Sequence, residues 1–267
     1  MPTLVGASTG CFYGLDVVTE DAVDRIRLAG ADGVEIFVQG PPEIRPEVVD
    51  AIIAHTMASG LAVVSVHPYV YGWENLLFAS YERQRRWAFQ HVADHIRLCV
   101  ATGARAYVSH GPPAHHVVDD EGRLSPHYVA VTRDLVALAA QHGVRYCLEN
   151  VSYGLLTSPD DARRHLDAVP GLGFVIDTKS AWKSGHAPAD FLTPDLLPAV
   201  HHTQVSFRFA GRYGLPAYDE DAALVDTELA AALAVQIPHI LEIEATTAEH
   251  VTRSLAAIRR VCGSVPT

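Results

Sequence analysis

The chain has 267 residues, 49% of them hydrophobic and 19% charged, and a formal net charge of -11 at pH 7. That length suits a large globular domain with a substantial core, taken here as one domain over residues 1–267. The acidic balance excludes a nucleic-acid surface, which draws its affinity from clustered Lys and Arg, and no run of about 18 apolar residues offers a membrane-spanning helix.

Strand and helix patterns alternate from end to end. Strands are expected over Leu4 to Ser8, Gly33 to Phe37, Leu61 to His67, Arg105 to His110, Val144 to Glu149, Leu172 to Asp177, Val200 to Ser206 and His239 to Ile243. The intervening helices are expected near Thr19 to Ala29, Glu47 to Ser59, Tyr81 to Ala101, His127 to His142, Pro159 to Ala168, Pro188 to Leu197, Asp219 to Val235 and Ala248 to Val261. Several helices stop at a glycine, as at Gly30, Gly60, Gly103 and Gly143, where a residue free to take positive φ closes the last turn. Short returns after each helix and longer segments after each strand predict an α/β fold, a single (β/α)8 TIM barrel with its active site at the C-terminal ends of the strands. A doubly wound open sheet is the runner-up, but no Gly-x-Gly-x-x-Gly follows the first strand.

The amino terminus, Met1-Pro2-Thr3, lacks the basic start and apolar run of a secretory signal, so a cytoplasmic location is expected. Cys11, Cys99, Cys147 and Cys262 lie far apart without a Cys-x-x-Cys pair and read as reduced residues rather than disulfides or a zinc cage.

The strands end on, or next to, side chains that bind metals or move protons: Glu35, His67, His110, Glu149, Asp177, His202 with Gln204, and Glu242. Alternation along a strand puts Glu149 on one face with Cys147, Asp177 with Val175 and Gly173, and Glu242 with Ile240 and Pro238. The three carboxylates can therefore converge in the barrel mouth, where they would repel one another unless a cation held them together. Completed by one nitrogen or amide oxygen and by water, the set suits Mn²⁺, Mg²⁺ or Co²⁺ more than a structural zinc, with Zn²⁺ still open. The alternative is that these acids are helix caps or hydrogen-bond anchors at loop starts.

The runs Gly33-Val-Glu35, Ser65-Val-His67-Pro68, Ser109-His110-Gly111, Leu148-Glu149-Asn150, Val175-Ile-Asp177-Thr178 and Ile237-Pro-His-Ile-Leu-Glu242 resemble the xylose isomerase-like TIM-barrel superfamily over essentially the whole chain. No single run is specific; their order and spacing are. The resemblance implies a divalent metal on Glu149, Asp177, a seventh-strand residue and Glu242, with Glu149 and Glu242 as the acid/base pair of an isomerase or epimerase. The substrate would be a sugar, sugar phosphate or related keto-polyol, deprotonated next to its carbonyl through a metal-stabilised enediolate. A keto-polyol dehydratase using the same first step is the enzymatic alternative, and a barrel that has lost catalysis and serves as a binding protein is the other. The partner implied is this small molecule; a homo-oligomer is compatible with the sequence.

Two departures from the family pattern stand out. On the seventh strand His202 and Gln204 share a face with Ser206 and compete for the ligand position; imidazole favours His202, and Arg208 then resembles a substrate-binding arginine. After Asp177 many relatives carry Asp-x-x-His, where this chain has Asp177-Thr178-Lys179-Ser180. Lys179 either reaches a substrate oxygen or lies on the surface. A three-zinc nuclease of the endonuclease IV branch needs that missing histidine and another after the seventh strand, and residues 203 to 238 contain none. His67 and His110, which resemble zinc ligands of that branch, are then assigned with Glu35 to substrate binding. Trp73 and Trp182 are expected as substrate walls among the aromatics Phe12, Tyr13, Tyr69 and Tyr71. Gly111 to Pro126 is expected to cover the mouth.

Overall fold

The computed structural model describes residues 3–69, 73–112, 117–118, 123–217 and 227–263, and the counts below refer to them. Eight parallel strands close into a barrel: β1 (Val5–Ser8), β2 (Gly33–Phe37), β3 (Ala62–His67), β4 (Ala106–Ser109), β5 (Arg145–Glu149), β6 (Gly173–Asp177), β7 (Val200–Val205) and, after a small hairpin, β10 (His239–Leu241), which pairs with β1. The hairpin β8 (Phe207–Phe209) and β9 (Arg212–Leu215) is antiparallel and turns at Ala210 and Gly211, both with positive φ. Its pattern is too short to read from sequence.

Helices α1 (Thr19–Leu28), α2 (Pro46–Ser59), α3 (Glu82–Thr102), α4 (Pro126–Gln141), α5 (Pro159–Ala168), α7 (Thr227–Leu233) and α8 (Ala248–Gly263) fall where the sequence expects them. Their starts are chemically specified. Ser158 and Asp161 form a capping box at α5 with Pro159 in the first turn, and Ser125 caps α4 by accepting from the Tyr128 amide. Gly60 and Gly103 end α2 and α3 in the left-handed region, as expected. Of the segment Asp219 to Val235, residues 219–226 lie outside those described.

One expected helix is corrected. Pro188 to Leu197 holds one 3-10 turn, Pro188–Phe191, and the start of a second, Leu197–Ala199, instead of a continuous helix. Pro194 explains the break, since it lacks an amide hydrogen and keeps Thr193 out of helical conformation. The helix after β6 is instead the short α6 (Thr178–Lys183), which starts directly on Asp177.

Alternation along the strands separates two cores. Ala106, Val108, Cys147 and Val175 pack together inside the barrel, whereas Tyr107, Tyr146, Leu148, Phe174 and Ile176 pack outward under the helices. The parity expected for β5 and β6 therefore holds, and the strand ends carry Glu149 and Asp177 to the same rim. The four cysteines are free thiols. Among the described residues no helix is long and apolar enough to cross a membrane.

Candidate metal and proton-transfer site

Three adjacent strands aim their last side chains at one point. His67 ends β3, His110 follows β4 and Glu149 ends β5. His67 Nε2 lies 3.1 Å from His110 Nε2 and 3.1 Å from Glu149 Oε2, and His110 Nε2 lies 3.2 Å from the same oxygen. All three residues are buried. Two facing imidazole nitrogens cannot both donate to each other, so this nearly equilateral triangle of one oxygen and two nitrogens is a poor hydrogen-bond arrangement. It is a good metal-ligand arrangement: a tetrahedral ion with bonds of about 2.0–2.1 Å holds its ligand atoms roughly 3.3–3.4 Å apart. The three residues can hold a metal ion.

The second ring nitrogen of His110 is also informative. His110 Nδ1 faces Glu74 Oε2 at 3.6 Å, and Ser109 Oγ donates to Glu74 Oε1 at 2.6 Å while accepting from Tyr146 Oη at 2.9 Å. A carboxylate behind a ligating imidazole orients the ring and raises its basicity. Glu74 lies in the 3-10 turn Trp73–Phe78, and sequence reasoning missed it. Its only signal is one acid inside the apolar run Trp73-Glu-Asn-Leu-Leu-Phe78.

Electrostatics sort the carboxylates. Burial opposes the Glu149 anion, but the charge and hydrogen bonds of His110 and His67 outweigh it and hold the carboxyl well below its ordinary value. Burial likewise opposes the imidazolium of His110, yet Glu149 and Glu74 together raise it well above the usual range, and the hydrogen bond that His67 donates to Glu149 raises His67 despite its burial. Glu242 behaves in the opposite way. Burial pushes it up from 4.5 to about 7; Lys179 pulls it down, while Glu149 and Asp177 add to the rise. Its Oε2 is buried without a hydrogen-bond partner among the described residues.

Asp177 is engaged at both oxygens. It caps α6, with Oδ1 accepting the Lys179 amide at 2.8 Å and Oδ2 accepting Ser180 Oγ at 3.0 Å, and burial raises it. Lys179 bends back over the rim so that its Nζ lies 3.5 Å from Asp177 Oδ2 and 3.7 Å from Glu242 Oε1. Asp177, then Glu242 and Glu149, raise the ammonium despite its burial. The expected set of Glu149, Asp177 and Glu242 is thus brought to one mouth, with a lysine cation between two of its members.

The seventh strand separates its two candidates by height. Asp177 is level with Gln204, while His202 is level with Val175, one step deeper in the barrel. His202 Nε2 lies 3.1 Å from Glu35 Oε2, Gln204 Nε2 donates to Glu35 Oε1 at 3.1 Å, and Ser65 Oγ donates to Oε2 at 2.7 Å. Burial raises Glu35, but His202 and the other donors bring it down to about 2. Glu35, expected at the substrate, is 0% exposed and anchors the strands of the interior instead. His202, expected on a metal, is its partner. Gln204 Oε1 remains buried without a partner among the described residues.

A cavity of about 400 Å³ opens beside Lys179 and Glu242, lined also by Tyr13, Phe37, Tyr69 and Gly214. The expected walls lie elsewhere. Trp73 is buried against His95 and donates to the Tyr69 carbonyl, and Trp182 is buried, donates to Glu228 and carries Arg208 over its ring. Arg208 also pairs with Glu228 at 3.0 Å, away from the cavity lining. Trp73 finds its ring partner in α3 and Trp182 in the hairpin, leaving the aromatics nearest the strand ends to face the cavity. Tyr71 and, within the expected cover Gly111 to Pro126, residues 113–116 and 119–122 lie outside those described.

The barrel and the polar rim at its C-terminal mouth define the class, a single (β/α)8 barrel. The chain belongs to the xylose isomerase-like TIM barrel family, whose model matches residues 23–216. Similar solved structures include a D-tagatose 3-epimerase-like protein (15% identity, 98% of each chain, TM-score 0.76) and an IOLI protein with a bound zinc atom (13% identity, 99% of each chain, TM-score 0.74). Another is the probable 3-DHS dehydratase AsbF, involved in petrobactin synthesis, from Bacillus anthracis (18% identity, 99% of this chain and 100% of that one, TM-score 0.69). At these identities the likeness is one of fold. No curated protein matches the sequence.

Proposed function

We propose that this chain is a divalent-metal-dependent isomerase or epimerase, a single-domain cytoplasmic catalyst for a sugar, sugar phosphate or related keto-polyol. The observation that carries the reading is the meeting, at the barrel mouth, of a His67, His110 and Glu149 ligand triangle with a glutamate whose carboxyl is held at about 7. His67, His110 and Glu149 would hold the ion, and their two imidazoles suit zinc or cobalt better than magnesium. When bound, such an ion supplies Lewis-acid polarisation of a carbonyl oxygen.

The protein's own groups divide the remaining work. Glu242 takes the proton from the carbon next to the carbonyl and, for an isomerisation, returns it to the neighbouring carbon on the same face, because a base titrating near the working pH has both the right ionisation and enough driving force; an epimerisation takes its returning proton from water on the opposite face. Glu149, assigned to the ion with His67 and His110, serves as ligand and leaves Glu242 as the base. Lys179 donates to the substrate oxygen on which negative charge develops. Tyr13, Phe37 and Tyr69 offer ring faces to the C–H surface of a sugar and keep water from the reacting carbon.

The epimerase-like and zinc-bound neighbours support this reading. The dehydratase among them supports a second, in which the same proton removal is followed by loss of water. Deuterium exchange from solvent, run across a panel of ketoses and keto-polyols, tests both. Label at one carbon of an intact ketose, absent with Glu242→Gln, is expected; release of water from that substrate selects the dehydratase, and no exchange with any compound refutes proton abstraction.

A further inference from the structure

We infer that the Lys179 ammonium is a tethered second cation: it occupies the ground between Asp177 and Glu242 that a divalent ion would need, so the mouth takes a single exchangeable divalent ion. Three observations carry this. Asp177 Oδ2 and Glu242 Oε1 lie at 3.5 and 3.7 Å from the same Nζ, and the lone pairs that Asp177 keeps beyond the Lys179 amide and the Ser180 hydroxyl face that ammonium. Gln204, level with Asp177, is a neutral amide whose NH₂ is committed to Glu35, so this side offers no imidazole. Room for the lysine stem is built into the hairpin: at Gly214 a Cβ would come within 3.3 Å of Lys179 Cδ, and the residue has φ +78°. A side chain there would make the lysine stem give by a few tenths of an ångström.

The charges agree with this placement. Three acids at one rim repel each other, and a fixed monovalent cation relieves the repulsion without metal from solution. Lysine also differs from a metal in what it offers a substrate. It is a compact point charge with three donors and no vacant coordination position, so it binds an oxyanion by hydrogen bonds and does not chelate a diol. The cavity beside it therefore selects a substrate presenting a single carbonyl or carboxylate-type oxygen to Lys179 and its acidic C–H to Glu242. The inference rests on the proposed His67, His110 and Glu149 triangle only for where the exchangeable ion goes.

Titration of the full, metal-free chain with Co²⁺ alone, followed by calorimetry and by visible absorption, tests it. The wild type is expected to bind one equivalent, Lys179→Met two, Lys179→Arg one, and Lys179→Met combined with Asp177→Asn one again. Lys179→Gln repeats the neutral substitution should the methionine variant fold poorly. Two equivalents in the wild type, or no added equivalent in either neutral variant, overturn the inference. A wild type that binds none while Lys179→Met binds one removes the triangle and leaves the tethered cation standing. One equivalent in both does the reverse.

Discussion

Replacing Glu242 by Gln should abolish a specific part of the pH dependence of stability. The unfolded carboxyl loses its proton near 4.5, while the folded one keeps it until about 7. Between those pH values the native state holds the extra proton, so stability falls as pH rises and is lowest once both forms are ionised. At about 1.4 kcal/mol per pH unit the full effect is roughly 3 kcal/mol, reduced to about 2–3 kcal/mol because the side chain keeps some solvent contact. Urea denaturation of the metal-free wild type and of Glu242→Gln, compared at about pH 5 and about pH 8, isolates this contribution from the other titrations. The wild type should lose about 2–3 kcal/mol relative to the variant over that range. A difference that stays flat, or grows in favour of the wild type, refutes the account of a carboxylate buried among like charges.

The remaining predictions follow from single contacts. Lys179→Met removes a charge 3.7 Å from Glu242 Oε1; the pair attraction is about 1 kcal/mol in water and about 4 at an effective dielectric of about 20, so carboxyl-labelled carbon NMR should find Glu242 titrating roughly one to three pH units higher. An unchanged midpoint contradicts the contact. Glu74→Gln should weaken divalent binding by about 10–100-fold in calorimetry with the fold intact, because the His110 ring loses the carboxylate behind it; unchanged affinity removes that role. Gly214→Ala should lower stability by about 1–2 kcal/mol in thermal denaturation, since alanine must adopt positive φ against the Lys179 stem. A neutral result would mean the hairpin and the lysine are not packed as described.

Which parts of this architecture were legible in the sequence follows from the range of the forces involved. The barrel strands carry period-two burial and end at polar residues, a local signal, and so the parity of Cys147, Glu149, Val175 and Asp177 could be read directly. Pro194 carried an equally local signal against a helix over Pro188 to Leu197, and apolar spacing alone obscured it. The site was legible as a convergence but not as a partition. Whether Glu149 serves His67 and His110, whether Asp177 caps α6, and whether His202 serves Glu35 depend on strand height and side-chain reach, which alternation does not encode. Asp177 shows the difficulty best. A cap and a metal ligand look identical in sequence, and the amide of Lys179 and the hydroxyl of Ser180 at its oxygens show the capping role. Glu74 was invisible because it approaches His110 from a turn 36 residues away rather than from a strand end.

X-ray absorption at the metal edge of the Co²⁺-loaded or Zn²⁺-loaded chain tests the central claim most directly. A shell with two imidazole nitrogens and one carboxylate oxygen, losing one imidazole in His110→Ala, is the predicted result. A shell of oxygen ligands alone, unchanged by that substitution, would contradict it.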